Sequence, residues 1–474
     1  MKTVHCAAVD LGATSGRVIV GTWARNRLEL TEVHRFPNQF RSLAGHDYWD
    51  LPYLWGEART GLLKAKEQFP RLASVGVDTW GVDYVLVDDA GRMVFPPHAY
   101  RDARTQPDLQ RLANTRAALE RIYAATGIAN VFYNSSLQLE ETLAHCPAVA
   151  DLASRCLFLP DYFNFLLSGR MENEISIAST TQLLDVHGRS WSRATLDHFH
   201  IPATWFAPPI PANTVLGPVQ DFPELRGVQV VAVPGHDTAC AYDAMPADPA
   251  GGDLFISSGT WSLVGFESDQ PVLGRAALAA RISNERNGDG RYRPLTNVIG
   301  LWLLEQTLKE FPARPRSDRE WTALIAAARK LPAPAVLLDV ADPVFVNPPS
   351  MRTAIDAQLA AKKQPQPRNQ AGYTRLICDS LGRGHADAMR AFERLAGRTF
   401  RRILVVGGGA KNRLLCQATA DASGLPVVSF QIEGTAVGNI ASQLVALRAV
   451  KDRATFRRLF AANLHQTIYR PGSN

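Results

Sequence analysis

What the 474-residue chain lacks already narrows its chemistry. Its six cysteines, Cys6, Cys146, Cys156, Cys240, Cys378 and Cys416, form no CxxC pair, and none stands at zinc spacing from a histidine. Neither a zinc ribbon nor a disulfide framework is expected. Cys6 and Cys240 lie in apolar runs and read as small packed hydrophobes, and a reducing, cytoplasmic compartment fits that usage. Lysine and arginine number 51 against 45 aspartates and glutamates, a formal charge of +6, yet no block of five or more like charges occurs. The surplus reads as a solvated surface, and no nucleic-acid partner is expected. No apolar run is long enough to span a bilayer, and Met1-Lys2 lead directly into a strand without a signal-type apolar region, so no membrane partner is expected. No GxGxxG follows the first strand, which argues against a dinucleotide-dependent oxidoreductase.

What is present is ordinary in bulk and specific in detail. Hydrophobic residues make up 46% and charged residues 20%, values of a globular protein whose length favours two or more domains. Two short glycine hairpins stand out, Asp10-Leu11-Gly12-Ala13-Thr14-Ser15-Gly16-Arg17 and Ser257-Ser258-Gly259-Thr260-Trp261-Ser262. Each lies among β-rich apolar residues and offers N–H groups and hydroxyls without a large side chain in the way, which suits polyphosphate oxygens. Strands are predicted over 4–9, 17–23, 28–36, 75–78 and 84–88, with a helix over 51–69 between the third and fourth. The stretch 104–188 reads mostly helical, and a strand over 228–233 ends in Pro234-Gly235-His236-Asp237. Strand, hairpin and strand recur over 253–266. A helix over 376–395, a strand over 403–406, a helix closing at Gly424 and a last helix over 435–447 follow, with a loop at 362–368. This recurrence suggests duplicated lobes with a nucleotide held between them.

Several residues carry possible chemistry, and each has a plainer alternative. Asp10 at a strand end either holds a metal ion or supports the hairpin as an Asx turn. Thr14, Ser15 and Arg17 either bind phosphate or sit on the surface of a strand. Asp237 either takes a proton from a substrate hydroxyl or caps the helix that follows. His236 either bonds a sugar hydroxyl or packs. Trp80, Gly81 and Asp83, after Asp78-Thr79, combine a flat apolar ring with acceptors, as a carbohydrate pocket requires, although Asp83 is equally a turn residue. Tyr100 to Arg104 either rim that pocket or make a surface ion pair. Gly407, Gly408 and Gly409, followed by Lys411 and Asn412, join a strand to a helix as nucleotide contacts do, but without the ending of a Walker loop.

Taken together, the runs VDLGATSGRV, DTWGVDYVLVD, AYRDART, LPDYFNFLLSG, GHDTA, SSGTWSLVGFES, GRYRPLTNVIGLWLL and VGGGAKN resemble, in one order, the FGGY carbohydrate kinases of the actin, hexokinase and Hsp70-like superfamily. The resemblance implies an α/β fold of two ribonuclease H-like lobes, residues 1–243 and 244–474, with an ATP cleft between them. It implies ATP and magnesium-dependent phosphorylation of the 1-hydroxyl of a ketose. L-rhamnulose is the expected acceptor, and L-fuculose and L-xylulose are the alternatives. Asp237 is then the catalytic base and Asp10 places magnesium. Ala13, Thr14, Ser15, Gly16 and Arg17 form one phosphate hairpin, and Thr260 belongs to the other. Gly407, Gly408, Gly409 and Asn412 border the adenosine. Gly81, His236, Thr238 and Asn297 touch the ketose, with Trp80 and Asp83 nearby. Two departures are visible. Glu305 stands where an ATP-contacting glutamine is expected, and a carboxylate cannot donate as an amide can. Asn134-Ser135-Ser136-Leu137 replaces an expected Asn-Thr-Leu. A nucleotide-dependent sensor or chaperone with the same lobes is the rival reading; Gly235-His236-Asp237 and the tryptophan-rich turns argue against it.

Overall fold

The structure is a computed structural model of the chain and describes residues 3–188, 190–220, 222–248 and 251–472. The chain forms two compact units. Unit 1 comprises Met1–Pro246, Glu267–Pro294 and Glu433–Asn463; unit 2 comprises Ala247–Phe266, Leu295–Ile432 and Leu464–Asn474. The first crossing between units lies close to the expected division at 243–244, but two later segments return to unit 1.

Unit 1 is built on a six-stranded sheet. Its order is Arg27–Pro37, Ser15–Ala24, Val4–Leu11, Leu72–Thr79, Gln229–Ala232 and Thr214–Pro218. Val4–Leu11 runs antiparallel to its hairpin partner and parallel to Leu72–Thr79, in a register that sets Asp10 opposite both Arg17 and Asp78. Cys6, Ala7, Ala8, Val9 and Leu11 are all buried, because both faces of this central strand are covered. Helix Leu51–Gln68 covers one face. Asp50 caps it by accepting from the Tyr53 N–H at 3.1 Å, and Leu54, Ala58, Leu62 and Ala65 form its buried stripe. Helix Gly434–Ala446 also packs on the sheet and is buried from Ala436 to Leu444. It passes very close to helix Asp237–Ala244: a Cβ on Gly438 would stand 1.9 Å from the Cys240 carbonyl oxygen, so only glycine fits there.

The predicted strands and helices are present, with additions. Phe40–Leu43 and His46–Trp49 form a hairpin that alternation did not reveal, since Phe40 to Leu43 are exposed throughout. The mostly helical middle also contains strand Arg155–Phe158, paired with Tyr84–Val87. The helix at Gly434–Ala446 is not the last, because Arg453–Ala461 follows it. That helix carries three arginines, which mask its apolar side, but Phe456 and Phe460 are buried and Phe456 meets Trp23 at 5.6 Å.

Unit 2 has a second mixed sheet. Residues from Leu295 to Ile299 pair with Trp261–Gly265; then come Asp253–Ser258, Arg402–Val406, Val427–Phe430 and Gln466–Tyr469. Helix Gln370–Ala396 starts at the Asn369 cap and stops at Gly397, which takes the left-handed conformation with φ 61°. It packs against helix Arg413–Ser423. Among the described residues, no helix is long and apolar enough to cross a membrane.

Candidate active site

In unit 1 the first hairpin is tight and pinned. The Gly12 N–H donates to Ser15 O at 3.0 Å, and Asn38, which sequence reading missed, ties the turn from outside. Its backbone N–H donates to Thr14 O at 3.0 Å and its side-chain Nδ2 to Gly12 O at 2.8 Å. Thr14 is exposed at the tip, Ala13 and Ser15 are half-buried, and Gly16 is buried. Arg17 is not a free surface residue. It bridges Asp10 Oδ2 at 2.6 Å and Glu433 Oε2 at 2.5 Å.

Three carboxylates cluster beside this hairpin. Burial raises the Asp10 carboxyl above the ordinary range, Arg17 opposes that rise, and Asp237 and Glu433 add to it. Asp78 is fully buried and pushed well up, first by burial and then by Asp10, with Asp237 contributing. Its Oδ2 accepts from Asn439 Nδ2 at 2.6 Å, while its Oδ1 has no hydrogen-bond partner among the described residues. Asn439 is itself held by Gln443 Nε2 at 2.7 Å, and Gln443 also donates to Ala7 O at 2.9 Å.

Asp237 is the first residue of helix Asp237–Ala244, and His236 occupies the cap position. The carboxylate is therefore not the helix cap. Its side chain is 32% exposed. Oδ1 accepts from Thr238 Oγ1 at 3.0 Å and lies 3.4 Å from His236 Nε2. The preceding turn is clamped on two sides. Gly235 O accepts from the Thr79 N–H at 2.9 Å, and the Gly235 N–H donates to Glu174 Oε2 at 2.9 Å. Glu174 is buried, which pushes its carboxyl up to about 7 against the pull of Ser176, Gly235 and Ile177.

The tryptophan turn is organised around Asp83, which is no simple turn residue. It is fully buried. Oδ2 accepts from Trp49 Nε1 at 2.6 Å, Trp80 Nε1 at 2.8 Å and the Tyr100 N–H at 3.2 Å; Oδ1 accepts from Gln138 Nε2 at 3.1 Å. The two indole rings meet at 4.2 Å. Gly81 is half-buried, and Val82 beside it takes φ 68° with its N–H on Thr180 Oγ1 at 3.1 Å. Arg104 is buried against Glu141 at 2.8 Å and Gln138 at 3.0 Å, a far less exposed pair than a surface reading of this stretch suggests. Gln138 thus links Asp83 and Arg104.

Burial pushes the Asp83 carboxyl up to about 6, and its Trp49, Trp80, Gln138 and Tyr100 donors partly offset this. The folded state therefore binds this proton more tightly than the unfolded chain. The associated stability is present below the ordinary value of 3.8 and is lost as pH rises through about 6. Because two indole N–H groups end on this carboxylate, tryptophan emission should change with a midpoint near pH 6. The same titration of Asp83→Asn should lack that step; its persistence would assign the step elsewhere.

In unit 2 the second hairpin and the glycine cluster are brought together. The Gly259 N–H donates to Trp261 O at 2.8 Å. The Gly300 and Leu301 N–H groups return to Thr260 O at 3.1 Å and Gly259 O at 2.8 Å. Gly407 has φ 84°, and a Cβ on Gly409 would stand 2.0 Å from Ser258 Oγ, so the cluster lies against the hairpin base. Gly408 has Leu301 nearby, and Glu305 is exposed one turn further along helix Trp302–Lys309. Asn412 caps the next helix by accepting from the Leu414 and Leu415 N–H groups, both at 3.1 Å. Asn297 is exposed and belongs to unit 2, whereas the other expected sugar residues belong to unit 1. A cavity of about 200 Å³ that sequence reading missed is lined by Trp302, Gln306, Lys309, Asn347 and Pro348.

Comparison with known proteins identifies the family. The N-terminal domain of the FGGY family of carbohydrate kinases matches residues 5–242, and its C-terminal domain matches residues 254–447. The chain belongs to this family; it is a carbohydrate kinase that uses ATP. It is 40% identical over 474 residues to a rhamnulokinase of Klebsiella pneumoniae subsp. pneumoniae, covering 99% of this chain and 95% of that protein. It is 39% identical to a rhamnulokinase of Enterobacter sp., covering 100% and 96%. Among solved structures, gluconate kinase of Lactobacillus acidophilus matches with a TM-score of 0.81 at 14% identity over 99% of this chain and 94% of that one. Plasmodium falciparum glycerol kinase with ADP matches with a TM-score of 0.78 at 12% identity, over 100% and 95%. The structural matches define the fold.

Proposed function

We propose that this kinase transfers the terminal phosphoryl group of ATP to the 1-hydroxyl of L-rhamnulose, giving L-rhamnulose 1-phosphate and ADP. Supporting the acceptor is the near-full-length similarity to rhamnulokinases. Supporting the chemistry is one observation above all: Asp237, partly exposed at a helix start, stands beside a second and third carboxylate. The ketose oxygen attacks phosphorus as its proton passes to Asp237, and the bond to the bridging oxygen of ADP breaks. His236, Thr238, Trp80, Gly81 and Asp83 of unit 1 serve the sugar, together with Asn297. The 13–17 hairpin and Thr260 serve the phosphates. Gly407, Gly408, Gly409, Asn412 and Glu305 serve the nucleoside.

A divalent cation fits the donors present. Asp78 Oδ1 is buried without a partner among the described residues, and Asp10 stands opposite Asp78 in the adjacent strand; hard carboxylate oxygens suit magnesium. Among the described residues, no three His, Cys, Asp or Glu side chains are grouped to hold a metal. Asp10, with Asp78 beside it, would hold that ion, which supplies charge neutralisation to the migrating group. The six cysteines are free and five are buried, which supports work in the reducing cytoplasm.

A ketose panel tests the acceptor. L-rhamnulose should give the highest kcat/KM, with L-fuculose at least tenfold lower, roughly the 1–3 kcal/mol that one misplaced hydroxyl costs, and L-xylulose, which lacks the terminal methyl group, lower by a similar factor. A higher kcat/KM for L-fuculose would reassign the substrate. ATP hydrolysis unstimulated by any ketose would reject sugar phosphorylation altogether.

A further inference from the structure

We infer that Glu174 is a positioning residue whose ionised carboxylate holds the turn at 234–237, so that a proton on Glu174 loosens the turn and slows phosphoryl transfer. The inference rests on the proposed role of Asp237 as base. Glu174 is buried. Its Oε2 accepts from the Gly235 N–H at 2.9 Å, close before Asp237 in the chain, and also from Ser176 Oγ at 2.6 Å and the Ile177 N–H at 3.1 Å. Oε1 is buried without a hydrogen-bond partner among the described residues.

Three donors on one oxygen favour the ionised form. A neutral carbonyl oxygen offers two lone pairs, and hydrogen bonds to a charged oxygen are stronger. A proton therefore enters on Oε1, and the donors then compete for a neutral Oε2. Ser176 and Ile177 follow Glu174 in the chain and stay beside it. The Gly235 contact joins two separate segments and is the one that lengthens.

The other holds on this turn do not titrate near neutrality. Gly235 O accepts from the Thr79 N–H at 2.9 Å, and Pro234 O accepts from Cys240 Sγ at 3.0 Å. Burial and then Asp78 push the Cys240 thiol well up, with Glu174 contributing, so the thiol keeps its proton. Asp161, on helix Leu159–Ser168, faces Glu174 from the other side and accepts from its backbone N–H at 3.1 Å. Burial and then Glu174 push the Asp161 carboxyl well up, so Asp161 stays protonated while Glu174 ionises at about 7.

Stability does not account for an ionised Glu174. Burial raises its carboxyl, so the folded state binds the proton more tightly than the unfolded chain. The associated stability is present below the ordinary value of 4.5 and is lost as pH rises through about 7. Glutamine keeps the shape and one accepting oxygen but carries no charge, and it avoids burying one.

The test follows single-turnover phosphoryl transfer from about pH 6 to about pH 9, with ATP and L-rhamnulose saturating, in wild type and Glu174→Gln. The wild-type rate should rise to a plateau through a step near pH 7 that the variant lacks. The ratio of the two rates should be roughly tenfold on the plateau and within about twofold at pH 6, inside the 10²-fold that a 1 Å misplacement costs. Asp83, which titrates near 6, is present in both proteins and cancels from the ratio. Ser176→Ala removes a donor that lowers the Glu174 carboxyl. It should move the step to higher pH and leave the plateau unchanged. The melting temperature of Glu174→Gln at about pH 8 should be no lower than that of wild type. A rate ratio constant with pH, an unmoved step in Ser176→Ala, or a lower melting temperature for Glu174→Gln overturns the inference. A wild type inactive on every ketose would instead overturn the proposed function.

Discussion

Asp237→Asn should lower kcat for ketose phosphorylation by about 10³-fold while leaving the affinity for ATP within about twofold. Removing a general base typically costs 10²–10⁴-fold, and here the substitution takes away basicity without disturbing shape. Asparagine Oδ1 can still accept from Thr238 Oγ1, now at 3.0 Å. The helix is capped at His236, not by this carboxylate, so its start does not depend on the charge. Asp237 also raises the carboxyls of Asp10 and Asp78 by repulsion. Neutralising it should therefore leave the melting temperature unchanged or slightly higher. Steady-state kinetics and nucleotide titration on one protein preparation check both halves. A variant that loses ATP binding and melts early would indicate a structural role.

Glu267→Ala should carry the largest penalty in stability, about 3–5 kcal/mol, the range for breaking a buried ion pair from one side. Glu267 accepts from Arg457 at 2.8 and 3.1 Å and from Arg453 at 2.9 Å. Arg453 also meets Asp243 and Asp289, the latter at 2.6 Å. These residues come from all three segments of unit 1. Asp243 lies on the same helix as Asp237, six residues further along. The network thus ties the returning segments to the helix that bears the proposed base. Burial raises the Glu267 carboxyl, but Arg457 and then Arg453 outweigh it and hold it well below the ordinary range. Its stabilisation is present above the ordinary glutamate value and is lost as pH falls through the depressed folded one. Urea denaturation should show the deficit at pH 7 and a smaller deficit in strong acid. An equal midpoint for variant and wild type would remove the network from the account of unit 1.

Local signals and long-range pairing were not equally readable in the chain. The valine-rich strands, the two hairpins and the helix at Leu51–Gln68 were legible because burial on a sheet or one helix face imposes a period. The hairpin at Phe40–Trp49 was not, since four exposed residues carry no such pattern. Asp237 was legible from its place after a buried strand. The Asp10–Arg17 contact was within reach as well: the two residues flank one tight hairpin and pair in its register. By contrast, Asn439 meets Asp78, and Glu433 meets Arg17, across more than 350 positions of sequence. Arg293 reads locally as one more polar strand residue, and its burial follows only from tertiary packing. Asp83 shows the same limit in reverse. Its turn position was visible, but its four donors come from three distant segments and from Trp80 beside it.

The most direct measurement is a rapid-quench single turnover of Asp237→Asn with ATP and L-rhamnulose both saturating, so that neither binding nor product release enters the rate. The chemical step should slow by about 10³-fold relative to wild type. A phosphoryl-transfer rate within tenfold of wild type would show that some other group takes the hydroxyl proton.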